Sequence, residues 1–510
     1  MKKIWLLFII QIFFLVGYSQ TQSSIYNSGF SITDRLDDPN AQYIQDTITV
    51  IITEPGTLKA ELQKLVPDYK LILNLSVTGP LNGTDIMTLR QMAGAGYFDI
   101  NTSYGRLTVL NLANTQIVEG GNSYYGYDLY DDFKQGYNSI RYQPYTTYNN
   151  AIPDYSFRNC QWLKSLAIPN SVNSIGAFAF SNCTNLFSMN IPQGISEIGY
   201  SAFSNCSALT EINVADENAD YCSLDGVLFD KERKTLIQYP IGNSRTDYQM
   251  PHGIIEIGSS SFCGCKNLSS IIIPNGVTLI RDDAFKECLK LTEISIPESV
   301  IDIGLWVFNY CNNLTSINVS PDNLEYSSLD GVLFDKNMGE LIQYPIGNNR
   351  SSYTIASNVI CSNYAFAGCG NLISIDVSRD NMNYCSVDGV LFDKTQKILI
   401  QYPIGNSRTS YSVNDSIHTI GLSSFSNCQN LTSIILGNGL QQIRSASFKG
   451  CFHLSEIYSK ADNPPTLEVF NNIGAFDGVR ISLVQLHVPY GKKSEYQLVG
   501  GWRNFKNIID

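Results

Sequence analysis

Apolar residues along most of this chain recur in one order, F-x-x-C-x-x-L-x-x-I-x-I-P followed by V-x-x-I-x-x-x-A-F, most regularly from Phe262 to Pro297. The Phe stands at Phe157, Phe180, Phe203, Phe262, Phe285, Phe308, Phe366, Phe425 and Phe448, with gaps of 23, 23, 59, 23, 23, 58, 59 and 23. A Cys follows each Phe three residues later: Cys160, Cys183, Cys206, Cys265, Cys288, Cys311, Cys369, Cys428 and Cys451. Alternation in L-x-x-I-x-I predicts a strand buried on one face, and the Pro ends it where the missing N–H costs no ladder bond. V-x-x-I predicts a second short strand on the opposite side, and A-F-x-x-C a tight helical turn. A unit this short cannot cover its own apolar face and must stack on its neighbours.

Stacking at this period, with an L-x-x-L-x-L-like core, predicts a leucine-rich repeat solenoid, α/β-type and β-rich: a parallel sheet stack with short helical turns. The gaps of 58 or 59 equal a unit plus an insert of 35 or 36 residues. The inserts are near-copies, Tyr221-Cys-Ser-Leu-Asp-Gly-Val-Leu-Phe-Asp recurring at Tyr326 with Ser327 for the Cys and at Tyr384 with Val387 for the Leu, and each reads as a β-hairpin, at about 221–243, 326–348 and 384–406. Ahead of the repeats, Thr47–Ile52 and Lys70–Val77 read as strands, and Thr57–Val66, with Thr57 as N-cap, and Thr84–Ala93 as helices. The plan is therefore a signal peptide at 1–19, an N-terminal cap with a Tyr-rich loop at 20–150, a solenoid at 151–458, and a last repeat with a C-terminal cap at 459–510. In that cap Trp502, Phe505 and Ile508 would cover the final unit.

Composition narrows the function. The 510 residues carry 46 acidic and 34 basic side chains, a net charge of −12, which repels phosphate backbones and anionic lipids and argues against nucleic acid as a partner. Met1-Lys2-Lys3, the apolar run Ile4–Val16 and the small residues Gly17 and Ser19 form a secretory leader cleaved near Ser19. No later apolar run approaches the ~18 residues of a transmembrane helix, so the mature chain is expected to be secreted or held at the cell surface without a transmembrane segment. The equivalent Cys of stacked units would lie about 4.8 Å apart with parallel Cβ vectors, whereas a disulfide needs Cβ atoms about 3.8 Å apart and pointing together, so these nine read as buried free thiols. Cys263 and Cys265 lack a neighbouring His, and Asp225 and Asp230 fit an Asp-Gly turn better than a calcium loop. His252, His418, His453 and His487 are scattered without a nucleophile motif. No catalytic residue, metal or cofactor is expected.

The repeat, the Asp-Gly-Val-Leu-Phe hairpins and the closing Gly501-Trp502-Arg503-Asn504-Phe505 resemble the BspA-like class of bacterial leucine-rich repeat surface proteins. The resemblance implies an exported, non-catalytic protein-binding or adhesion module whose partner is a host matrix protein, such as fibronectin or fibrinogen, or another cell-surface protein. From the residues themselves, two surfaces are candidates. One is the second outward position of each main strand, always Ser or Glu: Ser165, Ser188, Glu211, Ser270, Glu293, Ser316, Ser374, Ser433 and Glu456. The other is the run of eight tyrosines between Tyr124 and Tyr148, with Tyr124, Tyr125, Tyr127 and Tyr130 foremost. Their rings either pack on the flank or offer contact area, and the glycan-binding alternative would stack sugars on them.

Overall fold

The computed structural model describes residues 42–95, 105–125, 145–470 and 473–510. The expected signal peptide at 1–19 and Tyr127, Tyr130, Tyr137 and Tyr142 lie outside the described residues. The described residues form two compact units, one running to Cys311 and including Asp322–Glu325, the other made of Asn312–Pro321 and Tyr326–Asp510.

The first unit opens with parallel strands Ile44–Ile51, Ile72–Leu81 and Val109–Ile117, followed in the same sheet by Ser165–Ala167. Leu75, Leu110 and Leu166 meet in register and are buried. Helices Leu58–Leu65 and Gly83–Met92 connect the first strands and bury Leu58, Leu62, Ile86, Leu89 and Met92. The expected Thr57 cap is supplied from elsewhere: the Thr57 hydroxyl turns back to the Glu54 carbonyl, and the N–H groups of Gly56 and Leu58 donate to the buried Asp85 at 2.6 and 2.9 Å. Asp85 also closes a capping box with Asn82, so one carboxylate satisfies the free N–H groups of two helix starts.

From Ala151 the chain winds in three-sided coils. The first side is the main strand, as in Ser188–Ile191 against Glu211–Val214. The second is the two-residue strand of V-x-x-I, stacked parallel at Glu256–Ile257, Leu279–Ile280 and Asp302–Ile303. The third, A-F-x-x-C, is a succession of tight turns, because residues such as Phe178 (φ 54°) and Asn182 (φ 61°) sit in the left-handed region, which a helix does not allow. Alternate N–H groups there reach the next coil, Phe157 to the Ala179 carbonyl at 2.7 Å and Phe180 to that of Ala202 at 2.8 Å, while those between bond three residues back.

Inside, the repeated Phe rings stack: Phe157 on Phe180 and Phe180 on Phe203 at 5.7 Å, and in the second unit Phe425 on Phe448 at 5.0 Å. Each such pair is worth about 0.5–1.5 kcal/mol beyond its burial. The nine repeat cysteines are free and buried. The Cys183, Cys206 and Cys288 thiols donate to the Phe157, Phe180 and Phe262 carbonyls at 3.1, 3.1 and 3.3 Å. Burial pushes the Cys160 and Cys206 thiols up to about 12, which keeps them protonated and unreactive.

The hairpins pair Tyr221–Leu224 with Val227–Asp230, and that strand with Thr235–Gln238. Thr235–Gln238 then joins Glu256–Ile257 in parallel, becoming the second side of a further coil. Tyr239, 23 residues before Phe262, takes the Phe place of that coil, with its ring 5.2 Å from Phe262. In the second unit Tyr344 and Tyr402 do the same against Phe366 and Phe425, at 5.7 and 5.0 Å. The hairpin arm is anchored by a fully buried Asn that the pattern of apolar residues does not reveal. Asn218 donates to the Pro192 and Ile195 carbonyls and accepts from the N–H groups of Asp220 and Tyr221, at 2.8–2.9 Å. Asn381 makes the equivalent bonds in the second unit.

The second unit ends with Gln485–His487 and Asn507–Ile509 added to the main sheet. Trp502 and Phe505 pack on Phe476 at 5.8 and 5.4 Å, and the buried Trp502 indole donates to the Pro465 carbonyl at 2.6 Å.

Candidate functional site

Two of the four foremost tyrosines are interior. Tyr124 is fully buried, and its hydroxyl donates to the Asp154 carbonyl at 2.8 Å. Tyr125 stacks on Tyr155 at 5.0 Å and lies under the Arg90 guanidinium. Burial of the ring drives the Tyr124 phenol far above its usual range. Neither can meet a ligand without unpacking the flank: Tyr124 is wholly enclosed, and Tyr125 is covered by Tyr155, which stacks in turn on Phe178. Tyr148, at 64% exposure, is open to solvent.

The Ser and Glu row does lie outward. Ser165, Glu211 and Glu293 are exposed, and Ser188, Ser270, Ser316, Ser374, Ser433 and Glu456 are half-buried, each beside a buried residue of the core. The row is cut into blocks by the Asp-Gly turns of the hairpins. Ile212, Ile317 and Ile375 donate not to a neighbouring main strand but to the carbonyls of Gly226, Gly331 and Gly389, at 2.9, 2.9 and 2.8 Å. These glycines, all at φ near 80°, lie directly over Glu211, Ser316 and Ser374. Ser316 and Ser374 are further occupied by bonds to Asn318 and Asp376 on the same strand, at 2.7 and 2.9 Å.

In the second unit the block nearest the C-terminus is the broadest. Ser410, Ser433, Glu456, Gln485 and Asn507 lie side by side, three of which the reading of the regular repeats had not placed. Beside them runs a second row, Ile435, Tyr458, His487 and Ile509. The Tyr458 and His487 rings stack at 4.2 Å with 9° between planes, and the Tyr458 hydroxyl donates to Glu456 at 2.8 Å. That bond to the carboxylate raises the Tyr458 phenol above its usual value. This column can offer an aromatic centre with a polar rim, the anatomy of a protein contact.

In the first unit the block before the hairpin forms a shallow groove of about 350 Å³ where the main strands end, floored by Ala113, Ala167 and Ala215 and flanked by Asn190 and Asn213.

Among the described residues, no group of three or more His, Cys, Asp or Glu is placed to hold a metal ion. One Asp230 oxygen ties its own turn, accepting from the N–H groups of Lys234 and Thr235 at 2.7 and 2.8 Å. Asp283 and Lys286 form a buried pair 3.3 Å apart, in which burial raises the carboxyl and the ammonium opposes it. No described helix is long and apolar enough to cross a membrane.

A family model for the BspA type leucine-rich repeat region matches residues 145–225, 242–349 and 404–470, in six copies. Among solved structures, the chain is similar to a leucine-rich cell surface protein from Faecalibacterium prausnitzii, with 24% identity over 72% of this chain and 88% of that one and a TM-score of 0.36. It is also similar to a leucine-rich repeat protein from Bacteroides ovatus, with 23% identity over 73% and 90% of the two chains and a TM-score of 0.31. A third, from Eubacterium ventriosum, has 20% identity over 65% and 80%, with a TM-score of 0.31. No curated protein matches the chain.

Proposed function

The chain belongs to the BspA type leucine-rich repeat family, and from that premise we propose that it is an exported, non-catalytic protein-binding module that serves adhesion at the bacterial cell envelope. The observation that carries this reading is the Ile435–Tyr458–His487–Ile509 column with its row of Ser433, Glu456, Gln485 and Asn507. Apolar and aromatic side chains at the centre of a polar strand face supply the few strong contacts that a protein interface depends on. The acidic balance of the chain favours a neutral or basic partner. Export rests on the leader pattern of residues 1–19. The partner class drawn from the family is a host matrix protein or another cell-surface protein, and the matrix protein is the one tested first.

The test is surface-binding measurement of the full chain on immobilised fibronectin and fibrinogen, with the Tyr458→Ala/His487→Ala double variant alongside. The double variant is expected to bind about tenfold more weakly or worse, with an unchanged melting curve. If the parent chain binds neither protein, or the double variant binds as well as the parent, the adhesion reading at this face fails.

A further inference from the structure

The groove in the first unit has a chemistry of its own. Main-strand positions that hold Gln249, Ile272 and Ser295 in later coils hold Ala167, Asn190 and Asn213 here, and the small side chain opens the hollow. The Asn213 amide approaches the Asn190 carbonyl oxygen at 3.5 Å, a long and weak contact that sets the two amides side by side. The amino group of Asn190 and the carbonyl of Asn213 are then left without a protein partner among the described residues, as is the side chain of Asn170 on the rim. The hollow thus presents a donor beside an acceptor above an alanine floor. No charged residue lines it. The hairpin closes one end, where the Val214 N–H donates to Ser223 at 3.1 Å and the Gly226 turn lies over Glu211.

We propose that this groove binds a neutral oligosaccharide, with adjacent sugar hydroxyls paired to Asn190 and Asn213 and C–H faces on Ala113 and Ala167. The physical reason is complementarity of type. A sugar hydroxyl donates and accepts at once, as a side-by-side amide donor and acceptor require, and leaving either amide group unpaired beneath a ligand would cost affinity. Neither a cation nor a carboxylate is among the residues lining the hollow, which favours a neutral ligand. The volume suits a small ligand rather than a folded protein surface. The site lies in a different unit from the Tyr458 column and stands or falls independently of it.

The experiment is a glycan array probed with the full chain, carrying neutral glucans, mannans, galactans and N-acetylated oligosaccharides beside sialylated and sulfated ones, followed by calorimetry on the best neutral hit. Asn190→Ala and Asn213→Ala are each expected to weaken binding about fivefold to tenfold. Ala167→Leu, which fills the hollow and leaves every amide in place, should abolish it. Asn190 and Ala167 are solvent-exposed, so their variants should keep the parent melting curve, and Tyr458→Ala should bind the glycan normally. Binding to no neutral glycan at about 1 mM, binding only to charged glycans, or parent-like affinity in the Ala167→Leu variant would each overturn the proposal.

Discussion

Phe180 and Tyr239 hold the same place in their coils, yet only the second ends in a polar atom. The Phe180 ring stacks between Phe157 and Phe203, whereas the Tyr239 ring stacks on Phe262 and its buried hydroxyl has no hydrogen-bond partner. Regular coils also donate their main-strand N–H groups to a neighbouring strand, while the strand before each hairpin donates to an Asp-Gly turn. The hairpin coil therefore extends the stack at some cost and breaks the outer face into blocks. The blocks then differ in what they can recognise, an amide groove in one unit and an aromatic column in the other.

If the regular coils carry the stability, Phe285→Ala should be the most damaging change, costing about 3–5 kcal/mol by the void it leaves, read as a fall in the denaturant midpoint. The anchor of the hairpin coil comes next. Asn218→Ala strands two carbonyls and two N–H groups and should cost about 3 kcal/mol, accompanied by faster hydrogen exchange at Asp220 and Tyr221; unchanged exchange there would mean that the arm is held by other contacts. Gly226→Ala tests the turn over the face. A Cβ there would stand 2.9 Å from that of Glu211, so the loss should exceed that of Gly253→Ala, where φ is also positive but nothing lies within 4 Å; a difference of about 1 kcal/mol is expected. The smallest effects separate the tyrosines themselves. Tyr344→Phe gives up a bond to Asn348 and should cost about 1 kcal/mol, while Tyr239→Phe and Tyr402→Phe, whose hydroxyls have no partner, should be neutral or stabilising. Equal losses in all three would erase the distinction between paired and orphaned hydroxyls.

Much of this was legible from the chain. Phe, Cys, Leu and Ile at fixed offsets name the interior, and the parallel-stack geometry of the Cys positions by itself argues against disulfides. The hairpin coil was not legible while the period was followed by Phe alone, although Tyr239, Tyr344 and Tyr402 keep the spacing of 22 or 23 to the next Phe and would have revealed it. Asn218-Ala-Asp-Tyr221, with its counterparts at Asn323 and Asn381, was a second overlooked signal. Tyr124 and Tyr125 looked like loop residues because they stand in an irregular, polar stretch. Tyr125 is covered by Tyr155 and Tyr124 is tied to the Asp154 carbonyl, partners that reach them only through folding.

Sequence by itself determined the construction of this protein, because the rule is local: alternation along a strand decides which side chains face inward, and a 23-residue period decides that each meets its own counterpart. It also determined that the Ser and Glu row faces outward. Tertiary structure alone decided which outward residues share a surface. Where a Gly226 turn lies over Glu211, where Asn190 meets Asn213, and where Tyr458 stacks on His487 depend on backbone bonds between residues one or more coils apart, and no single repeat carries that register.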